Sequence, residues 1–62
     1  MTHSQIVDIV RIATRFRTEY GTNGASEFGD FAEFAIDSNG FNADAFDEHE
    51  DQIGDIFDAV FA

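Results

Sequence analysis

The chain has 62 residues, with 13 Asp and Glu against three Arg and no Lys, so its formal net charge is −10. This balance argues against direct nucleic-acid binding, because proteins that bind phosphate groups need clustered Lys and Arg. An anionic membrane surface would repel the chain for the same reason. Hydrophobic residues nevertheless make up 44% of it, including eight Phe, which is unlike the apolar-poor composition of disordered chains. We therefore expect a single folded acidic domain over residues 1–62.

The absence of Cys excludes disulfides, thiolate nucleophiles and cysteine-based metal sites. The N-terminal residues lack the basic and apolar regions of a signal peptide, and no apolar stretch approaches the roughly 20 residues that span a bilayer. We expect a soluble, cytoplasmic protein without a cofactor. Because so small a chain buries only about 60% of its unfolded surface, marginal stability or homodimerisation is also expected.

The first predicted element is an amphipathic helix over about residues 4–20. Thr2 and Gln5 can form a capping box at its start, and Gly21 can end it in the left-handed conformation. Arg17 falls on the apolar side, where its guanidinium is expected to reach past the apolar surface to solvent or to stack on an aromatic ring. The apolar side chains recur at helical spacing on one side: Ile6, Ile9, Val10, Ile12, Ala13, Phe16 and Tyr20.

The second predicted helix covers about residues 26–38, with Ser26 as its N-cap. Asn39 and Gly40 supply a termination signal, Phe41 can pack back on the helix, and Asn42 can cap the next one. A wide apolar arc is formed by Phe28, Phe31, Ala32, Phe34, Ala35 and Ile36. A narrow acidic stripe on the opposite side consists of Asp30, Glu33 and Asp37.

The third predicted helix, about residues 43–61, has the clearest periodicity and completes an all-α, small three-helix bundle. Gly54 weakens it by about 1 kcal/mol relative to Ala. His49 lies on its apolar side, where a packed imidazole is expected rather than a general base, and no enzyme constellation is evident. The apolar arc contains Phe46, Ile53, Ile56, Phe57 and Val60. The opposite arc is acidic: Asp44, Asp47, Glu48, Asp51, Asp55 and Asp58.

The charge is distributed unevenly along the chain. Residues 1–20 have a net charge of +1, whereas residues 21–62 contain eleven acids and no Lys or Arg. Solvated helix faces usually mix signs, since opposite charges three or four residues apart stabilise a helix and like charges destabilise it. Residues 21–62 therefore carry a cost in helix stability along their whole length. This indicates that the negative charge of the surface is itself selected.

The predicted third helix has a charge spacing close to that of DNA. Its six stripe carboxylates would span about 21 Å at 1.5 Å per residue, or roughly one charge per 3.5 Å. One DNA strand carries one phosphate per about 3.4 Å of axis. The acids at 30, 33 and 37 would add a second row, so we expect both rows to bind a partner's basic surface.

In its short length, its acidic stripe at 44–58 and its lack of Lys and Arg after Arg17, the chain resembles the small DNA-mimic proteins encoded by phages, including many anti-CRISPR proteins. The resemblance covers about two thirds of the chain and contains no specific motif. It implies stoichiometric inhibition, in the host cytoplasm, of a basic nucleic-acid-binding protein such as a CRISPR effector.

Three other interpretations of the acidic composition are compatible with parts of the sequence. Abundant Asp without Lys also suits a small structural or interaction domain from a halophile. Residues 37–48 have the length of an EF-hand calcium loop, but Phe41 and Asn42 occupy the fifth and sixth positions, where a ligand and Gly are needed. Asp37-Ser38 is similar to the attachment site of acyl carrier proteins, although Asn39 replaces that family's Leu. No metal site is therefore predicted.

Overall fold

Helices make up most of the computed structural model, which describes residues 1–20 and 28–61. They are α1 (His3–Tyr20), α2 (Phe28–Glu33), α3 (Ala43–Glu48) and α4 (Glu50–Phe61), and α2 continues directly into a π-helical segment, Phe34–Ser38. No strand occurs in these two ranges. The all-α prediction is confirmed, but the described residues form four α-helices rather than three. The predicted caps Gly21 and Ser26 lie outside the described residues.

The capping box at the start of α1 is confirmed. The Thr2 backbone N–H donates to Gln5 Oε1 at 2.9 Å, and the Gln5 backbone N–H donates to Thr2 Oγ1 at 3.2 Å. These reciprocal bonds satisfy donors that have no partner within the helix. The sequence therefore determines locally where α1 begins.

The end of the π-helical segment differs in detail from the α-helical ending that the sequence predicts. The backbone N–H and the side-chain Nδ2 of Asn39 both donate to the Phe34 carbonyl, at 3.2 and 3.0 Å. The Phe41 N–H then donates to the Ala35 carbonyl at 3.0 Å, across Gly40, whose φ is +68°. The first of these backbone bonds spans five residues, which is the π-helical pattern, so the last turn is wider than an α-helical turn.

Asn39 also links this wide turn to α1 through a side-chain hydrogen bond. Its Oδ1 accepts a hydrogen bond from Arg15 Nη1 at 3.0 Å, while its Nδ2 donates to the Phe34 carbonyl. One amide side chain thus connects two elements that are distant in sequence. The chain has three Arg and no Lys, and one of these Arg binds an amide oxygen in this contact.

The prediction of one continuous helix over 43–61 is wrong, because the chain bends at His49. This residue has φ −113° and ψ 25°, well away from helical values, and its side chain is half-buried. Hydrogen bonds still cross the bend, from the His49 N–H to the Ala45 carbonyl and from the Ile53 N–H to the His49 carbonyl. At the start of α3 the predicted cap is confirmed, since Asn42 Oδ1 accepts from the Ala45 N–H at 2.9 Å.

The core combines buried aliphatic side chains with an aromatic network, and that network links all eight Phe and reaches the exposed Tyr20 at its edge. Neighbouring ring centroids lie between 4.5 Å, for Phe57 and Phe61, and 6.3 Å, for Phe16 and Phe57. Phe31 is fully buried and its ring contacts rings from α1, α3 and α4 as well as its own helix. Because Phe46 and Phe57 both contact Phe31, the bend at His49 joins two helices that pack on the same ring.

Two side chains of the predicted apolar side of α1 are exposed instead. Val10 retains 41% of its surface and Tyr20 retains 52%. Arg17 is exposed as well, in agreement with a guanidinium that reaches solvent. The buried stripe of α1 is narrower than the apolar pattern, with Ile9, Ile12, Ala13 and Phe16 at its centre. Amphipathicity predicted the correct face, but the partner helices cover only the middle of it.

Two glycines provide a matched stability test. At Gly54 in α4, an added Cβ would meet only Phe28 Cε1, at 4.0 Å, so we expect Gly54→Ala to stabilise the fold by about 0.5–1 kcal/mol through helix propensity. Gly40→Ala should destabilise it by about 1 kcal/mol, because the positive φ disfavours any Cβ. Urea denaturation followed by circular dichroism measures both, and shifts of the same sign would contradict these local conformations.

Candidate functional site

All nine acidic residues of the predicted binding surface are exposed. They form two sets on different elements. The α2 acids, of which the last belongs to the π-helical segment, are Asp30, Glu33 and Asp37. The α3–α4 acids are Asp44, Asp47, Glu48, Asp51, Asp55 and Asp58.

The bend at His49 divides the α3–α4 acids into two shorter rows. Three lie on the two turns of α3 and three on α4, so they do not form the straight 21 Å row expected from a single helix. A new helix starting at Glu50 also moves Glu50 and Asp51 into a first turn, where the helix dipole favours carboxylates. The bend thus relieves part of the like-charge cost that the sequence pattern implied.

Glu50 is an exposed acid that the predicted site did not include. On a continuous helix it falls away from the acidic arc, which is why the periodicity missed it. Its position in the first turn of α4 places a further negative charge beside Asp51. The signal that pointed to it was the uniform sign of the charges after Arg17, not their periodicity.

The α2 acids line a cavity of about 420 Å³ together with side chains from the C-terminal half of α1. The walls contributed by α1 are the rings of Phe16 and Tyr20, and the π-helical segment adds Phe34 and Ser38. Sequence reasoning missed this cavity. It placed Phe16 and Tyr20 on the apolar side of α1, but it could not show which acids would lie opposite them.

The stretch with the length of an EF-hand loop does not fold as one. Asp37 belongs to the π-helical segment, residues 39–42 form a short connection, and Glu48 ends α3. Across residues 1–20 and 28–61, no group of three or more His, Asp or Glu side chains is arranged to hold a metal ion. Ser38, the serine compared with the carrier-protein attachment site, is exposed at the end of the π-helical segment.

Among the described residues, no helix has both the length and the apolar character to cross a membrane.

A second cavity, of about 370 Å³, is lined by both Asp8 and Arg11. Because charges of both signs meet there, it lacks the uniform electrostatic character of the cavity beside the α2 acids.

The chain matches no protein-family model, no curated protein and no solved structure at a significant level. Inferences about its function therefore rest on its own residues and their arrangement.

Proposed function

We propose that the protein is a stoichiometric inhibitor that presents its acidic helices to the basic nucleic-acid-binding site of another protein, most specifically a CRISPR effector. The observation that supports this most directly is the exposure of all nine predicted carboxylates. A surface of this kind competes with DNA because both use the same Lys and Arg groups of the partner.

The absence of compensating bases on the acidic elements supports the same function. No Lys or Arg occurs in α2, the π-helical segment, α3 or α4, so no carboxylate there has a cation three or four residues away on its own helix. All three Arg belong to α1. The field of the acidic helices is therefore directed at solvent and at any basic partner within a Debye length, about 8 Å at physiological salt.

The bend changes the shape of the surface that is proposed to imitate DNA. The α4 acids form a row of their own. From Asp51 to Asp58 this row is about 10 Å long, whereas a single helix over 43–61 would carry one row of about 21 Å. The remaining acids of the set, Asp44, Asp47 and Glu48, lie on α3. We infer that the partner contacts acids from both α3 and α4 rather than from one face of a single helix.

Removing three neighbouring charges without changing shape tests the proposal. We expect the combined variant Asp47→Asn, Asp51→Asn and Asp55→Asn to bind its partner about 5- to 150-fold more weakly, since close interfacial charge pairs contribute about 1–3 kcal/mol or more. The measurement is inhibition of labelled target-DNA binding by each of a panel of purified CRISPR effector complexes, in a mobility-shift titration.

The matched control is the double variant Asp8→Asn and Glu19→Gln, which neutralises exposed acids on α1 and should leave inhibition unchanged. Inhibition by the unmodified protein should also weaken steeply as salt rises. Equal losses from both variants, or none from the triple variant, would rule out the α3–α4 acids as the binding surface. If no effector in the panel is inhibited, the proposed target class is wrong.

A further inference from the structure

The cavity between α1 and the α2 acids combines two features, an aromatic side and an acidic side. Its aromatic side is a packed trio, in which the Tyr20 ring lies 4.9 Å from Phe16 and 5.8 Å from Phe34, the latter at an interplanar angle of 87°. Its polar side carries the carboxylates of Asp30 and Glu33, with no Lys or Arg among the residues that line it.

Tyr20 is the exposed member of this trio. Tyr20 keeps 52% of its surface exposed although two phenylalanine rings support it, whereas Phe16 and Phe34 are buried. The Tyr20 ring packs on Phe16 and Phe34, so little ordering is needed before a planar group stacks on it. The cavity volume of about 420 Å³ falls within the range of about 300–1,000 Å³ typical of ligand sites.

These two features select an organic cation. Aromatic faces attract cations through the ring quadrupole, and carboxylates add charge and hydrogen-bond acceptors. A divalent metal ion is a poor match, because phenylalanine rings offer it no ligands and no metal-binding group of three acids or histidines occurs in the described ranges. A guanidinium group fits better than an ammonium, since its plane stacks on rings while its N–H groups bind carboxylates in pairs.

We propose that this cavity binds the guanidinium group of an arginine side chain on the partner protein. The identity of that partner rests on the proposed function, but the cavity's preference for guanidinium does not. Within the inhibitor, the α2 acids then capture an individual arginine, whereas the α3–α4 acids face the wider basic surface. Ser38 and Asp37 extend the polar rim at the wide turn of the π-helical segment.

The chain offers an intrinsic probe, because Tyr20 is its only Tyr and it has no Trp. We expect arginine amide, titrated at 150 mM NaCl, to change the tyrosine fluorescence saturably and to shift the ring NMR signals of Tyr20 and Phe34. Citrulline amide keeps the shape and the α-ammonium group but has a neutral urea in place of the guanidinium, so it should bind at least about tenfold more weakly. Lysine amide should lie between them.

A pair of variants with equal charge change separates a specific cavity from a general negative field. Asp30→Asn with Glu33→Gln and Asp37→Asn should weaken arginine amide binding at least tenfold. Asp51→Asn with Asp55→Asn and Asp58→Asn removes the same number of charges from α4 and should change it less than twofold. Tyr20→Leu should weaken binding as followed by the Phe34 signals, and circular dichroism verifies that each variant is folded.

Equal binding of arginine and citrulline amides, or equal losses from the two triple variants, would overturn the arginine site. So would binding of lysine amide as tight as that of arginine amide, because it would remove the requirement for a planar cation. These results are independent of the effector experiment. Arginine binding without effector inhibition would contradict only the proposed function, and inhibition without arginine binding would contradict only the cavity.

Discussion

Replacing Phe31 by Ala is expected to remove a third or more of the free energy of unfolding at 25 °C in dilute buffer. Phe31 has no exposed surface, and its ring lies 4.9 Å from Phe57 and 5.7 Å from Phe16. Deleting a buried phenylalanine costs about 3–5 kcal/mol, and a domain of 62 residues has a total stability of about 3–9 kcal/mol. Thermal denaturation followed at 222 nm measures the loss.

Two comparisons make the Phe31 prediction specific to burial. Phe61→Ala removes the same side chain from a half-buried position at the end of α4, so it should cost less than half as much. Val10→Ala changes an exposed position in α1 and should alter stability by no more than about 0.5 kcal/mol. A Phe31→Ala protein that melts within 5 °C of the unmodified protein would show that the aromatic network is not the main source of stability.

Raising NaCl from 10 to 300 mM is expected to increase the melting temperature by about 5–15 °C. The exposed acids of α2, α3 and α4 place like charges three and four residues apart, and each such pair costs about 0.2–0.5 kcal/mol. Screening a large part of this repulsion recovers about 1–2 kcal/mol, and 1 kcal/mol shifts the melting temperature of a domain this small by about 4–8 °C.

The combined variant Asp47→Asn, Asp51→Asn and Asp55→Asn is the control for screening. It should melt higher than the unmodified protein in 10 mM NaCl and gain less from added salt, because part of the repulsion is already gone. A chain that folds only above about 1 M salt would favour the halophile interpretation instead. A melting temperature independent of salt would contradict the view that the acidic surface is maintained at a cost to stability.

Several features of the fold and of the candidate site were predictable because their causes lie within a few residues. The Thr2–Gln5 capping box, the Asn42 cap and the positive φ of Gly40 each depend on local backbone and side-chain chemistry. The exposure of the nine acids also followed from periodicity, since a carboxylate without a partner is not buried. Periodicity placed the acids on the exposed sides of their helices. It could not give the orientation of the α2 acids relative to the α3–α4 acids.

The bend at His49 shows where periodicity is insufficient. Residues 43–61 have one helical hydrophobic pattern, and no Pro interrupts it. The break makes α3 and α4 separate helices, and Phe46 and Phe57 both reach the Phe31 ring. Which rings must meet is a property of the assembled core, so the two short acidic rows could not be distinguished from one long row by spacing.

The sequence by itself determined the helical class, the local caps and the sign of the surface, because each depends on residue type and short-range spacing. Only the tertiary structure decided that Tyr20 would remain half exposed beside Asp30 and Glu33. That arrangement requires α1 to pack through Phe16 on Phe31 of α2 and on Phe34 of the π-helical segment, residues up to 18 positions apart. Contacts over such separations depend on packing the whole core, which no local pattern encodes.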